Sequence, residues 1–201
     1  MSIEQEKASQ DKIISWLNDN LTCSFSLKTR NIQLAHSCFD LAIEHHAAIN
    51  LLCRSELNGS MFSLLRVIFE TFINGLWLKY VADEEQVRKY ENDDLNLGFG
   101  SKINLIEGKL GVSEGALKVM KNKHWVIFNS FTHGGFQAVV RRRNETHTGS
   151  VNYDSNEIVS GLRHSGTIAL LSGIELASMT ENTPLIKESL SIYKAYTDET
   201  L

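Results

Sequence analysis

Residues 60–82 read Ser60-Met61-Phe62-Ser63-Leu64-Leu65-Arg66-Val67-Ile68-Phe69-Glu70-Thr71-Phe72-Ile73-Asn74-Gly75-Leu76-Trp77-Leu78-Lys79-Tyr80-Val81-Ala82. No proline interrupts this run, and it is apolar almost all the way round a helical wheel. A helix of that kind is buried in the middle of a domain. One polar stripe crosses it: Ser63, Arg66, Glu70 and Asn74. The last three are spaced i, i+4, i+8 and so share one face. An unpaired buried charge is too costly to keep, so the stripe must be paired or must face a wet cavity.

The segments on either side carry the same 3.6-residue period, and period-2 alternation is missing. The expected fold is therefore all-α: a helical bundle built on two long antiparallel helices, about 26–56 and 60–82, with additional shorter helices. The first long helix has core positions Ile32, Ala35, Phe39, Ala42, His46, Ile49 and Cys53, in steps of three and four. Asn58-Gly59 is read as the turn between the two. A short amphipathic helix over about 10–20 precedes them. Asp83 should cap a short helix, and residues 93–100 should form a loop before a helix over 102–107. Ser113 is the expected cap of a helix to Thr132 that stops at Gly134-Gly135. Asp154 or Ser155 starts a long helix to about Met179, and Thr183-Pro184 starts the last one. The simplest organisation is one helical domain over 1–201, with an extension at 1–24, a core at 25–180 and a C-terminal helix at 183–201.

The 201 residues are 42% hydrophobic and 22% charged, ordinary for a globular protein. A formal net charge of −4 argues against broad, non-specific nucleic-acid binding but leaves room for a local basic site. Cys23, Cys38 and Cys53 are odd in number and match no zinc spacing, which fits buried thiols in a reducing compartment. Residues 1–11 are polar, with no signal-peptide core, and no apolar run approaches the roughly 18 residues of a membrane span. A soluble cytoplasmic protein without membrane contact is the expectation.

Arg66 and Glu70 can pair along the helix. They form either a device that sets helix docking or one wall of a site in which Arg66 holds an anion and Glu70 orients it or acts as a base. His46 faces a partner helix and, by equal helical rise from Gly59, should lie near the level of Glu70 and Asn74. It is either a satisfied core histidine or a site residue. In Asn129-Ser130-Phe131-Thr132-His133-Gly134-Gly135 a titratable ring precedes two glycines at a helix end, as a C-cap or as a site. Arg141, Arg142 and Arg143 form a solvated basic face or contact phosphate, with His147 and Tyr153 beyond. Every histidine fails the Glu-x-x-His test of di-iron bundles, and no zinc, P-loop or dinucleotide motif is present, so no metal and no cofactor are expected.

The run Leu65 to Leu78 resembles the central helix of a bacterial family catalogued as a domain of unknown function, which typically reads R-P-x-x-E-A-x-x-R-G-x-W-L. Trp125 to Arg142 resembles its second motif, N-S-Y-T-H-x-G followed by a basic pair, and Asn152-Tyr153 its third, a P-N-Y-S turn. The resemblance spans about 41–177. Here Val67 stands for the family's proline, which leaves the helix straighter. Asn74 stands for its second arginine, which removes a positive charge from the stripe. The resemblance implies that Arg66, Glu70, Trp77, His133 and Arg142 belong to one constellation. A more distant likeness is to the HEPN class of helical proteins, many of them ribonucleases of bacterial defence and toxin systems. Its Arg-x(4–6)-His spacing is matched by Arg30 with His36, and by Arg141 or Arg142 with His147.

Two functions follow. The first is a binding or interaction module with a polar, anion-accepting pocket between the central helix and the His133-Gly-Gly turn. The second is a HEPN-like, metal-independent endoribonuclease with His133 or His36 as general acid or base. His133, Arg66 and Glu70 are the candidate catalytic set. His46, Asn74, Trp77, Asn129, Thr132, Arg141, Arg142 and Tyr153 are the candidate binding residues. The expected partners are a small anionic ligand or RNA, and a second copy in a homodimer.

Overall fold

The computed structural model describes residues 2–21, 29–111, 115–149 and 151–198. Nine α-helices account for most of them: α1 (Ile3–Leu21), α2 (Arg30–Arg54), α3 (Asn58–Tyr80), α4 (Glu84–Glu91), α5 (Phe99–Leu110), α6 (Ala116–Thr132), α7 (Phe136–Val140), α8 (Ser155–Met179) and α9 (Thr183–Asp198). Among the described residues there is no strand, only one bridge between Arg143 and Thr148. The fold is all-α.

The core is the triad α2, α3 and α8. Asn31 near the start of α2 donates to the Leu78 carbonyl near the end of α3. Phe39 packs on Phe72 and over Gly75. With the connecting turn at 55–57, these contacts make α2 and α3 antiparallel. Gly75 is what lets them close: a Cβ there would stand 2.6 Å from Phe39 Cε1. α1 and α9 cover the outer side of α8, while α5 and α6 cover α3. Leu17 and Leu21 of α1 press against Gly173.

Several boundaries differ from the sequence reading. Asn58 and Gly59 belong to the first turn of α3, and the left-handed residue of the preceding turn is Glu56, at φ 57°. Glycine is needed at 59 for space, since Arg142 Nη2 and the Tyr153 hydroxyl both approach within 3.1 Å of where its Cβ would be. α1 starts at Ile3, about two turns before the expected residue 10. Glu6 and Gln10 are fully buried, because Tyr196 of α9 and Arg163 of α8 reach them with hydrogen bonds. α5 extends back to Phe99 and runs through Gly108 to end at Gly111, whose left-handed φ of 71° suits glycine. Asp83 and Asp154 cap α4 and α8 in full capping boxes. The expected cap Ser113, the start of the helix at 114, Cys23 and the start of the long helix at 26 lie outside the described residues. At the start of α6 the Glu107 side chain of α5 accepts from the Lys118 N–H at 2.9 Å.

α3 also corrects the expectation that no segment is apolar and long enough to span a bilayer. By length and composition it qualifies. In this fold it is the central helix, packed by α2, α5, α6 and α8, and its sides toward them are the protein's core.

Candidate functional site

The stripe on α3 is satisfied residue by residue: Arg66 and Glu70 bond each other, while Ser63, Arg66 and Asn74 each meet a different part of the chain. At its start Ser63 donates to the Gly59 and Phe131 carbonyls, and Thr132 donates to the Ser63 carbonyl at 3.0 Å. These bonds tie the end of α6 to α3. At its far end Asn74 accepts from Lys102 Nζ at 2.7 Å. Lys102 is buried, its pKa is lowered by desolvation, and its ammonium stands over the rings of Trp77 and Tyr90.

Arg66 is the hub between these ends. Its Nε and Nη2 both donate to Glu70 Oε1, at 3.1 and 2.9 Å. Its guanidinium lies 4.9 Å from the centre of the Trp125 ring, which in turn stacks on Phe99 at 4.2 Å. Its Nη1 meets Nε2 of His133. An arginine can only donate, so His133 must accept through Nε2 and carry its proton on Nδ1. His133 is also the C-cap of α6: its N–H bonds the Asn129 carbonyl, and Gly134 follows in the left-handed region at φ 64°. His133 thus caps α6 and also touches the stripe through Arg66. The Arg66 and Glu70 side chains are 18% and 34% exposed, so the pair lies at the edge of the core and not inside it.

The other predicted residues are dispersed. His46 is fully buried and Ser165 Oγ of α8 lies 2.6 Å from its Nδ1, so it is a satisfied core histidine and not a neighbour of Glu70 and Asn74. The register set by Phe39 puts it about two turns nearer the 55–57 turn than Phe72 and Gly75, around Leu65 to Ile68. Helical rise gives a level but not a direction, and here the direction is toward α8. Burial pushes its pKa down to about 3, so the ring is neutral. Trp77 is fully buried, and Lys102, which bonds Asn74, stands over its ring. Asn129 keeps a buried carbonyl oxygen without a partner among the described residues. Arg141 is paired with Glu157 of α8 and bonded to Gln137. Arg142 is exposed beside the Tyr153 hydroxyl at the start of α3, and Tyr153 stacks on Phe62. Arg30 pairs with Glu91 of α4, away from the stripe, and His147 bonds Thr146 in the exposed loop.

Lys102, Trp125 and His164 were not singled out from sequence. Lys102 carries no local signal. His164 falls at helical spacing from Gly161 and Ile168 on the buried side of α8, a period that could have revealed it. It lines a cavity of about 310 Å³ between α3, α6 and α8, together with Phe62, Phe128, Phe131 and His124. Arg66, Glu70 and His133 are not part of that cavity. Among the described residues no cluster of three or more His, Cys, Asp or Glu could hold a metal ion.

This is an all-helical protein whose central helix docks its neighbours through a polar stripe with one partly open cationic hub. It belongs to the family of unknown function DUF6988, whose model matches residues 39–201. No curated protein and no solved structure matches the chain.

Proposed function

We propose that the chain is a cytoplasmic binding module, without catalytic activity of its own, that takes a small carboxylate or phosphate at the Arg66–His133 face. The observation that carries this reading is how Arg66 is held. Glu70 and Trp125 fix its guanidinium, while an exposed imidazole takes its remaining edge. A pre-positioned guanidinium binds an anion with less ordering cost than a free one.

His133 holds the Arg66 Nη1 that an anion would take. Lys121 lies on the same side of α6 as Trp125, one turn earlier, with its Nζ 3.1 Å from the Cβ position of Gly100. Arg66, Lys121 and buried Lys102 therefore outnumber Glu70 in this region, and the balance suits an anion.

The test is a thermal-shift titration with inorganic phosphate and with acetate, against chloride at equal ionic strength. Phosphate or acetate should raise Tm in the wild type, with the rise halved in Lys121→Met and absent in Arg66→Met. An equal rise with chloride, or an unchanged rise in Arg66→Met, would refute the proposal.

A further inference from the structure

Four apolar side chains stand more than half exposed on α6 and α7. Val126 is 81% exposed and Phe136 68%, the highest values of any large apolar residue among those described, and Val119 and Val139 both reach 59%. Single apolar residues at a surface are ordinary. These belong together. Val119 and Val126 are spaced i, i+7, so they lie one above the other on α6, on the side opposite the inward Phe128 and Phe131. Ser130, one turn beyond Val126, accepts from the Gln137 N–H at 2.9 Å, which holds the start of α7 against that outer side. Phe136 and Val139, at i, i+3, share the exposed face of α7.

The same segment is one-sided in charge. From residue 115 to 143 the chain has six lysines and arginines and no Asp or Glu, although its total is −4. All other residues therefore sum to −10. Arg141 is committed to Glu157. Lys118, Lys123, Arg142 and Arg143 are exposed. Lys123 lies one turn from both Val119 and Val126, so a cation stands among the apolar residues and not only around them.

An occupant of this face must be anionic over an extended area and must also take up protruding apolar side chains. Nucleic acid meets the first demand, but its bases stack on aromatic rings, and three of the four apolar residues are valines. A second copy presenting the same face would set cation against cation. The core of a protein–protein interface sheds lysine, which Lys123 contradicts. An anionic bilayer meets both demands. Its headgroups receive lysine and arginine, whose stems snorkel beside apolar tips that enter the acyl boundary. We propose that the outer face of α6 and α7 docks on a bilayer rich in anionic phospholipid, with Val126 and Phe136 inserted and Lys118, Lys123 and Arg143 at the headgroups. α6 stays packed on α3 and α5 throughout, so the contact is peripheral and needs no span. It uses neither Arg66 nor its anion.

The probes are vesicles of equal parts phosphatidylcholine and phosphatidylglycerol, and vesicles of phosphatidylcholine alone, in flotation with the full chain. Partition into the mixed vesicles should exceed partition into the neutral ones at least tenfold and should collapse in 1 M salt, where screening acts over about 3 Å. Lys118→Gln and Lys123→Gln should each weaken it about fivefold, the worth of one charge at such a surface. Val126→Asp and Phe136→Ser should each weaken it about tenfold or more. These positions are exposed, and far-UV circular dichroism checks that each variant is folded. Val126→Trp should bind at least as tightly as the wild type, and its added fluorescence should shift to the blue on the mixed vesicles. Polyuridylate and polyglutamate are the competing polyanions. No preference for the mixed vesicles, a partition unchanged in both Val126→Asp and Phe136→Ser, or no blue shift would overturn the proposal. Binding to polyuridylate or to polyglutamate that is tighter than to the mixed vesicles would overturn it too, and would assign the face to nucleic acid or to an acidic protein. No arm alters Arg66, so failure here leaves phosphate binding at that site untouched.

Discussion

Replacing Arg66 by methionine keeps an unbranched stem and removes only the guanidinium. What is lost is two hydrogen bonds onto Glu70 Oε1, the contact with His133 and the cation over Trp125. A fully buried pair broken in this way costs about 3–5 kcal/mol, and an exposed i, i+4 pair only about 0.3–0.5 kcal/mol. With side chains 18% and 34% exposed, the pair stands between these limits. Water can re-solvate Glu70 once Arg66 is gone, which removes most of the buried-charge penalty. A charge-assisted hydrogen bond onto Glu70 is worth about 1.5 kcal/mol and the half-shielded cation–π contact about 0.5–1 kcal/mol. The expected loss is therefore about 2 kcal/mol, or a fall in Tm of roughly 4–8 °C for a chain of this size. Urea denaturation of wild type, Arg66→Met, Glu70→Gln and the double variant measures it. The coupling energy between the two positions should be about 1 kcal/mol and should shrink in 1 M salt, where screening acts over about 3 Å. A loss below about 0.5 kcal/mol with no coupling would mean that the pair does not dock α6 on α3. A loss above about 4 kcal/mol would mean that it behaves as fully buried.

Three further outcomes follow from the packing and the buried imidazoles. His46 and His164 are pushed from 6.5 down to about 3 by burial, so below pH 6.5 the unfolded state binds more protons than the folded one. Stability is then complete above pH 6.5 and falls toward pH 3, by up to about 1.4 kcal/mol per pH unit for each. His36, His45 and His124, also lowered by burial, act in the same direction. His164→Phe should remove about 2 kcal/mol of the loss between pH 7 and pH 5 in urea midpoints, and an unchanged slope would contradict the assignment. Gly75→Ala places a Cβ 2.6 Å from Phe39 Cε1 inside the α2–α3 seam, so it should destabilise by about 1–3 kcal/mol although alanine is the better helix former; a stabilised variant would show that the seam can open. Glu107→Ala leaves the Lys118 N–H at the start of α6 uncapped and should cost about 1–2 kcal/mol, with amide exchange rising first in the opening turn of α6. Unchanged protection there would show that the cap is supplied elsewhere.

The sequence was most informative where the cause of structure is local. Asp83 and Asp154 each stand three residues before a Gln or Glu, and both build the capping boxes that pattern implies. It misled at Asn58-Gly59, because that dipeptide favours a turn by its own backbone preferences. Here Arg142 and Tyr153, more than eighty residues away, close over Gly59 and make its missing Cβ a matter of space. Residues 3–9 look too polar to begin a buried helix, yet Glu6 is enclosed, since Arg163 and Tyr196 supply its partners from the other end of the chain.

The stripe shows the same division. A 3.6-residue period is a property of consecutive residues, so the sequence alone determined that this is a helical protein, that residues 60–80 lie at its centre, and that Arg66, Glu70 and Asn74 share one face. Partners are a property of neighbouring helices, whose direction about their own axes no periodicity records. Only the packed structure decided that Arg66 meets His133 and Trp125, that Asn74 meets Lys102, that His46 turns to Ser165, and that His164 is left with an unmet nitrogen beside a cavity.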